Sequence, residues 1–366
     1  DTLIKYNCKI PLRILKPESR GILEVRNTAI ENAKYNYILF CNPGDLLNTN
    51  YVRMVSVNMM RDMNLGVLGG FIESKTDSDT PTWFKDWSNY NYQVGEQFEY
   101  TSAVTWTRGY VWGSGMAIRK DAWRSLYERK FRSLFAGSES EISRFSIDNE
   151  MCFALRLTGW SIWYSIDLKL KHMFSKKELS WMRLREMWKQ YGKNSIILYP
   201  YIHTKDRKKE DLSSIHIQIN KRKKIEATYR KLTKFKNWKL QSYNDSLTGD
   251  NEVLRIEVKF AKLRELRSEI KTYNKKIRLL RRIASKRDLR FLRYVINKPY
   301  FRFPQYQHCT DKRGISVILN FTNSSYNLLF RSLDKISSQT LPEDFPWEVI
   351  LVTDFIKDEI KNEIYR

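Results

Sequence analysis

Apolar and polar positions along the first 175 residues fall into short blocks whose period switches between that of a strand and that of a helix. Ile10–Leu15 (IPLRIL) predicts a strand. Over Gly21–Ala33, the residues Ile22, Val25, Ala29 and Ile30 recur at spacings of three and four, which predicts a helix with one apolar face. Tyr37–Cys41 (YILFC) is apolar almost throughout and reads as a strand buried on both faces. It stops at Asn42-Pro43-Gly44-Asp45, a turn by composition. Leu65–Ile72 and Met116–Ile118 predict further strands, the second leading into a helix from Asp121. A helix over Asp148–Leu157 ends at Gly159, a residue type suited to the left-handed position after a helix. Ser161–Tyr164 follows as a short strand. This alternation predicts an α/β fold with a mainly parallel, Rossmann-like sheet.

Beyond that point the pattern changes twice. Residues 176–200 read as helical and turn at Tyr199-Pro200-Tyr201, after which residues 201–250 are polar and poorly periodic. From Glu252 to about Val295 a helical pattern returns. Ile270, Tyr273, Ile277, Leu280 and Ala284 are spaced like a coiled-coil seam, so residues 252–296 are a candidate oligomerisation surface. In the tail, Ile315–Leu319 and Trp347–Val352 read as buried strands around an amphipathic helix, Asn327–Ile336. Three regions result: a catalytic-type α/β region over 1–200, a basic α-helical extension over 201–313, and a strand-helix-strand unit over 314–366. The last either completes the first region or begins a second one. Its run past Asp354 into another helix favours the second, as though the chain were cut from a longer protein. In both cases an uncovered buried strand is costly, so Ile315–Leu319 is expected parallel and adjacent to Tyr37–Cys41.

Composition sharpens this picture. The formal net charge of +24 is concentrated: residues 201–310 hold 30 Lys and Arg against 11 Asp and Glu, whereas residues 1–175 sum to +3. The extension therefore favours an anionic partner. No nucleic-acid motif appears in it, and an anionic membrane surface is the expected partner rather than DNA or RNA. The four cysteines match no zinc spacing and suit a reducing compartment. No apolar run approaches the ~20 residues that span a bilayer. The expected location is cytoplasmic, peripheral at the inner membrane face.

Several residues are placed for chemistry at the ends of the predicted strands, where open α/β sheets bind ligands. Asp45 follows the buried strand directly; the plain alternative is that it caps the next helix. Asp148 opens its predicted helix, where an acid is favourable for dipole reasons alone. Arg20, Gly21, Arg26 and Asn27 stand on the first helix, within reach of a phosphate or a base. Trp112-Gly113-Ser114-Gly115 permits close backbone approach to a ligand. His172 follows the strand-like Ile166–Leu170.

Taken in order, ESRGILEVRNTAI (18–30), YILFCNPGDLL (37–47), VWGSGMAIRKDAW (111–123), SIDNEMCFALRLTGW (146–160) and LSWMRLREMWKQYGKNSIILYPY (179–201) resemble the family 2 glycosyltransferases, which have the GT-A fold. The resemblance implies transfer of a sugar, with inversion, from a nucleotide-diphosphate donor to a glycan or lipid-linked acceptor hydroxyl, in polysaccharide or cell-surface glycan synthesis. It implies Asp148 as general base. Arg20, Gly21, Arg26, Asn27, Asn42, Asp45 and Asp354 would face the donor, and Trp112, Gly113, Ser114, Gly115 and Glu150 the donor sugar and acceptor. Asp45 and His172 would hold Mn2+ or Mg2+. Asn42 and Gly44 stand where such enzymes usually carry acids, so the implied metal motif is incomplete. A degenerate GT-A module that binds without catalysis, or a basic helical protein binding anionic lipid or nucleic acid, is the alternative.

Overall fold

The computed structural model describes residues 11–17, 22–77, 79–136, 144–201, 227–228, 230–231, 233–234, 249–269, 272–284, 314–321 and 325–353. In chain order the elements are β1 (Leu12–Leu15), α1 (Ile22–Asn32), β2 (Tyr37–Cys41), β3 (Asp45–Leu47), α2 (Tyr51–Arg61), β4 (Leu65–Thr76), α3 (Phe84–Asn91), β5 (Ser102–Ala103), β6 (Ala117–Arg119) and α4 (Lys120–Glu128). There follow α5 (Arg144–Leu157), β7 (Ser161–Phe174), α6 (Trp181–Ile197), α7 (Asn251–Glu269), α8 (Tyr273–Ile283), β8 (Ile315–Asn320), α9 (Tyr326–Ser337) and β9 (Trp347–Val352). The strands form one sheet in the order β1-β9-β8-β2-β6-β4-β7-β3, with β5 added on β7.

The fold is mixed α/β, and the longest ladders are parallel. β1, β9, β8 and β2 run parallel to one another, as do β4 and β7. β6 is antiparallel to both of its neighbours, and the short β3 and β5 are antiparallel to β7. The expected contact between tail and centre is present: β8 lies parallel to β2, with Tyr37 opposite Ile315 and Cys41 opposite Leu319. All five residues of β2 and all six of β8 are buried, which is why both read as mainly apolar runs; the polar exceptions, Ser316 and Asn320, lie in β8.

Two apolar layers cover the sheet. On one face Leu39, Cys41, Val317 and Leu319 pack with Leu329, Leu333 and Ile336 of α9 and with Val52 and Val55 of α2. On the other, Ile38, Phe40 and Ile318 pack with Val25, Ala29 and Ile30 of α1 and with Met151 and Cys152 of α5. α9 leaves β8 over one face, and α1 returns to β2 over the opposite face. β8 and β2 are therefore the neighbours at which the chain connections diverge, and the crevice beyond their carboxyl ends is where such sheets take ligands.

A buried carboxylate ties the tail strands to the opening segment. Glu348 of β9 is 1 % exposed and accepts from Arg13 Nε at 2.9 Å, from the Lys34 N–H at 2.6 Å and from Ser316 Oγ at 2.7 Å. The basic extension also folds back onto this body. α7 lies along α6, where buried Glu257 pairs with Arg185 at 2.8 Å and Lys189 at 3.9 Å. Leu280 and Ile283 of α8 and Ala284 just after it join the α1–α5 layer, and Tyr273 and Ile277 pack with Tyr199.

Several boundaries differ from expectation. β4 and β7 run on to Thr76 and Phe174, because their outer halves pair with each other, although the side chains turn polar at the end of β4 and alternate between exposed and buried in β7. α5 begins at Arg144, so Asp148 is its fifth residue and does not open it. The expected single helix from Glu252 is two, with a break near Thr272. The candidate oligomerisation stripe at Tyr273, Ile277, Leu280 and Ala284 is covered by this chain's own body. Ile270 lies outside the described residues.

Replacing Glu348 by Ala should leave the Lys34 N–H and the Ser316 hydroxyl without their acceptor in a buried setting. The expected loss is about 2 kcal/mol of stability, read as a lower denaturant midpoint at unchanged slope.

Candidate functional site

The region at the carboxyl ends of β2 and β8 gathers the turn after β2, the glycine loop and residues of α1, α5 and α9. The turn after β2 is fixed by Gly44, whose φ of 95° a side chain would resist. The Gly44 N–H donates to Ser332 Oγ on α9 at 2.8 Å, which holds the turn against that helix. Asp45, fully buried, starts β3 opposite His172 and is not a helix cap, since α2 begins only at Tyr51. One oxygen, Oδ2, accepts from the Asn42 N–H at 2.7 Å; the other, Oδ1, lies 2.6 Å from His172 Nδ1. The Asn42 amide donates to Ser114 Oγ at 2.8 Å, which links this turn to the glycine loop.

That loop reaches the second acid. Asp148, 1 % exposed, forms a buried ion pair with Arg26 of α1, and its Oδ2 rests against the Cα of Gly113 so closely that no side chain would fit there. Arg26 lies over the ring of Phe40 at 4.8 Å, on the α1 face of β2. The chain of contacts Asp45–Asn42–Ser114–Gly113–Asp148 therefore crosses the carboxyl edge of the sheet from one apolar layer to the other. The side-chain oxygens of Asn27, Asn149 and Asn320 are buried and have no hydrogen-bond partner among the described residues. Asn27 and Asn149 follow the two members of the ion pair, and Asn320 ends β8.

Other expected site residues have different surroundings. Glu150, two positions from Asp148 and so on another face of α5, accepts from the Leu134 N–H at 2.6 Å, from Tyr201 Oη at 2.9 Å and from Ser133 Oγ. It ties α5 to the 133–134 turn and the end of α6 and does not face the crevice. Burial pushes its carboxyl up to about 7, against the lowering effect of those hydrogen bonds and of the Lys276 charge. The Trp112 ring is 2 % exposed and packs under Arg108 at 4.8 Å, so its backbone, and not its ring, borders the glycine loop. Arg20, Gly21 and Asp354 lie outside the described residues.

Two residues not singled out in the sequence set the loop's position. Gln97 accepts from the Trp112 N–H at 2.8 Å and donates to the Gly70 carbonyl at 2.7 Å. Tyr51, fully buried, donates to the Gly115 carbonyl at 2.8 Å. A lone Gln and a Tyr on an apolar helix face carry no sequence signal for such a role.

The implied Mn2+ or Mg2+ does not fit the donors as arranged. Both oxygens of Asp45 are engaged inside the protein, and His172 offers only its second ring nitrogen. Magnesium and manganese are held mainly by oxygen ligands. Among the described residues no three His, Cys, Asp or Glu side chains are placed to hold a metal ion.

Compared with known proteins, the chain matches no family model and no curated protein.

The Glu150 carboxyl makes a pH prediction with a definite sign. A carboxyl raised from 4.5 to about 7 on folding contributes stability that is complete below pH 4.5 and is lost as the pH rises through 7. The span is on the order of 3 kcal/mol. Glu150→Gln should flatten this fall, so that its denaturant midpoint exceeds that of the wild type at pH 8 and not at pH 5.

Proposed function

We propose that this chain is a glycosyltransferase of GT-A type that transfers a sugar from a nucleotide-diphosphate donor to a glycan or lipid-linked acceptor hydroxyl, with inversion. The observation that carries the reading is the buried Asp148 carboxylate standing against the Gly113 backbone, beside the divergence of β8 and β2. A transferase needs a base near the reacting carbon and a positive charge near the departing diphosphate. Asp148 and Arg26 supply one of each in a single pair.

In the proposed step the acceptor hydroxyl gives its proton to Asp148 as its oxygen forms the new bond to the anomeric carbon. The bond from that carbon to the donor phosphate breaks, and its electrons leave on the diphosphate. Arg26 meets that charge. The glycine loop, braced by Gln97 and Tyr51, sets the distance between base and sugar.

A second reading rests on a separate observation. The outward faces of α7 and α8 expose Arg255, Lys259, Arg267, Lys275, Arg278 and Arg282, while their apolar sides are turned inward. Such a face suits an anionic membrane surface at which a lipid-linked acceptor would be met. Among the described residues no helix is long and apolar enough to cross a membrane.

Asp148→Asn should abolish turnover, by 10²-fold or more, while nucleotide binding persists; full activity in that variant would end the assignment. A thermal-shift screen of nucleotide sugars, each with and without manganese, should show stabilisation by one donor class. For the basic face, binding to vesicles containing phosphatidylserine should exceed binding to a DNA duplex at equal charge and should fall steeply with added salt.

A further inference from the structure

Resting on the transferase reading, we propose that Arg26 is a latch on Asp148, released when the donor's diphosphate binds. The ion pair is buried on both sides, with Arg26 3 % and Asp148 1 % exposed. While the guanidinium sits on the carboxylate, a proton taken up by Asp148 would leave a buried arginine without its countercharge, which is strongly unfavourable. The base is therefore masked in the ligand-free protein. Only another anion in the crevice can take the guanidinium from it. A diphosphate carries the larger charge and accepts an arginine in the same two-pronged geometry.

The surroundings fit a site that is completed by ligand. Arg26 lies over Phe40, whose register partner on β8 is Ile318. Asn320 stands two residues further along β8, on the same side of the sheet, 6 % exposed with its Oδ1 unpartnered. Asn27 and Asn149 add two more buried oxygens without a donor. Buried acceptors left open in this way call for a partner, and the hydroxyls and N–H groups of a nucleoside are donors of the right kind. The consequence is an order of binding: donor first, then deprotonation of the acceptor. Without donor the base stays bound to Arg26.

The test is a double-mutant cycle read in binding of UDP, GDP and inorganic pyrophosphate by calorimetry. If Arg26 must leave Asp148 to hold phosphate, Asp148→Asn removes the competitor, and the affinity of the diphosphate that binds should rise about tenfold. Arg26→Gln should weaken the same affinity. In the Arg26→Gln background, Asp148→Asn should have no effect. The double variant carries no lone buried charge, so its thermal unfolding supplies a folded reference if a single variant is unstable. Affinity in Asp148→Asn equal to or below the wild type overturns the latch and leaves the transferase reading standing. Absence of binding by all three probes to the wild type overturns both.

Discussion

The parallel ladder between β2 and β8 is the constraint on which the rest of the molecule depends. Each strand is buried along its whole length, and residues 37–41 find their partners at 315–319. A buried strand with one edge unpaired would leave a row of N–H and C=O groups without partners. Each such group costs about 1–3 kcal/mol. The closure of this ladder places the loop after β2 and the end of β8 side by side. It puts α1 and α9 on opposite faces, and so opens a crevice at the one point where the connections part. Asp45, Asn42, Ser332 and Asn320 meet there because these two strands meet.

Much of this was legible in the sequence, and the physical reasons are particular. The runs YILFC, ISVIL and WEVILV are apolar but for Ser316 and Glu348, which bond to each other inside, because both faces are covered, and such runs identify central strands. The need to cover Tyr37–Cys41 then points to Ile315–Leu319. The outer half of β4 was not legible: ESKT looks like loop, since the ladder there is held by backbone pairing and none of the four side chains is buried. In β7 Ile166–Leu170 read as strand-like, but its union with Ser161–Tyr164 in one strand did not. The antiparallel course of β6 was equally hidden, because three buried residues carry no mark of direction. In α8 the apolar stripe was real, but periodicity states only that a face is covered and not by what.

At the site, one misreading could have been avoided on geometry alone. Asp148 and Glu150 are two residues apart on a helix, about 200° around its axis, and cannot both face one cleft. Glu150 instead holds a turn and the end of α6. Asp45 shows a different limit. Its position after β2 was legible, and the family resemblance set His172 beside it; what was hidden is the means, an antiparallel pairing between a three-residue strand and the far end of β7. Neither the Gln97 clamp nor the Tyr51 contact can be inferred from spacing, since both act on backbone groups of a loop distant in sequence.

The two buried acids therefore differ in what their surroundings leave open. Asp45 is answered on both oxygens by groups the fold itself holds rigid: an N–H in its own turn and an imidazole across a ladder. Nothing about it asks for a ligand. Asp148 is answered by a guanidinium at the end of a long side chain, lying over an aromatic ring. A fold must neutralise a buried acid in order to form, and an enzyme must be able to undo that neutralisation in order to use it. A flexible cation reconciles the two demands, because it satisfies the carboxylate during folding and can still move toward a stronger anion. Under the proposed function, Asp148 is distinguished from Asp45 less by its position than by the long side chain that carries the charge balancing it.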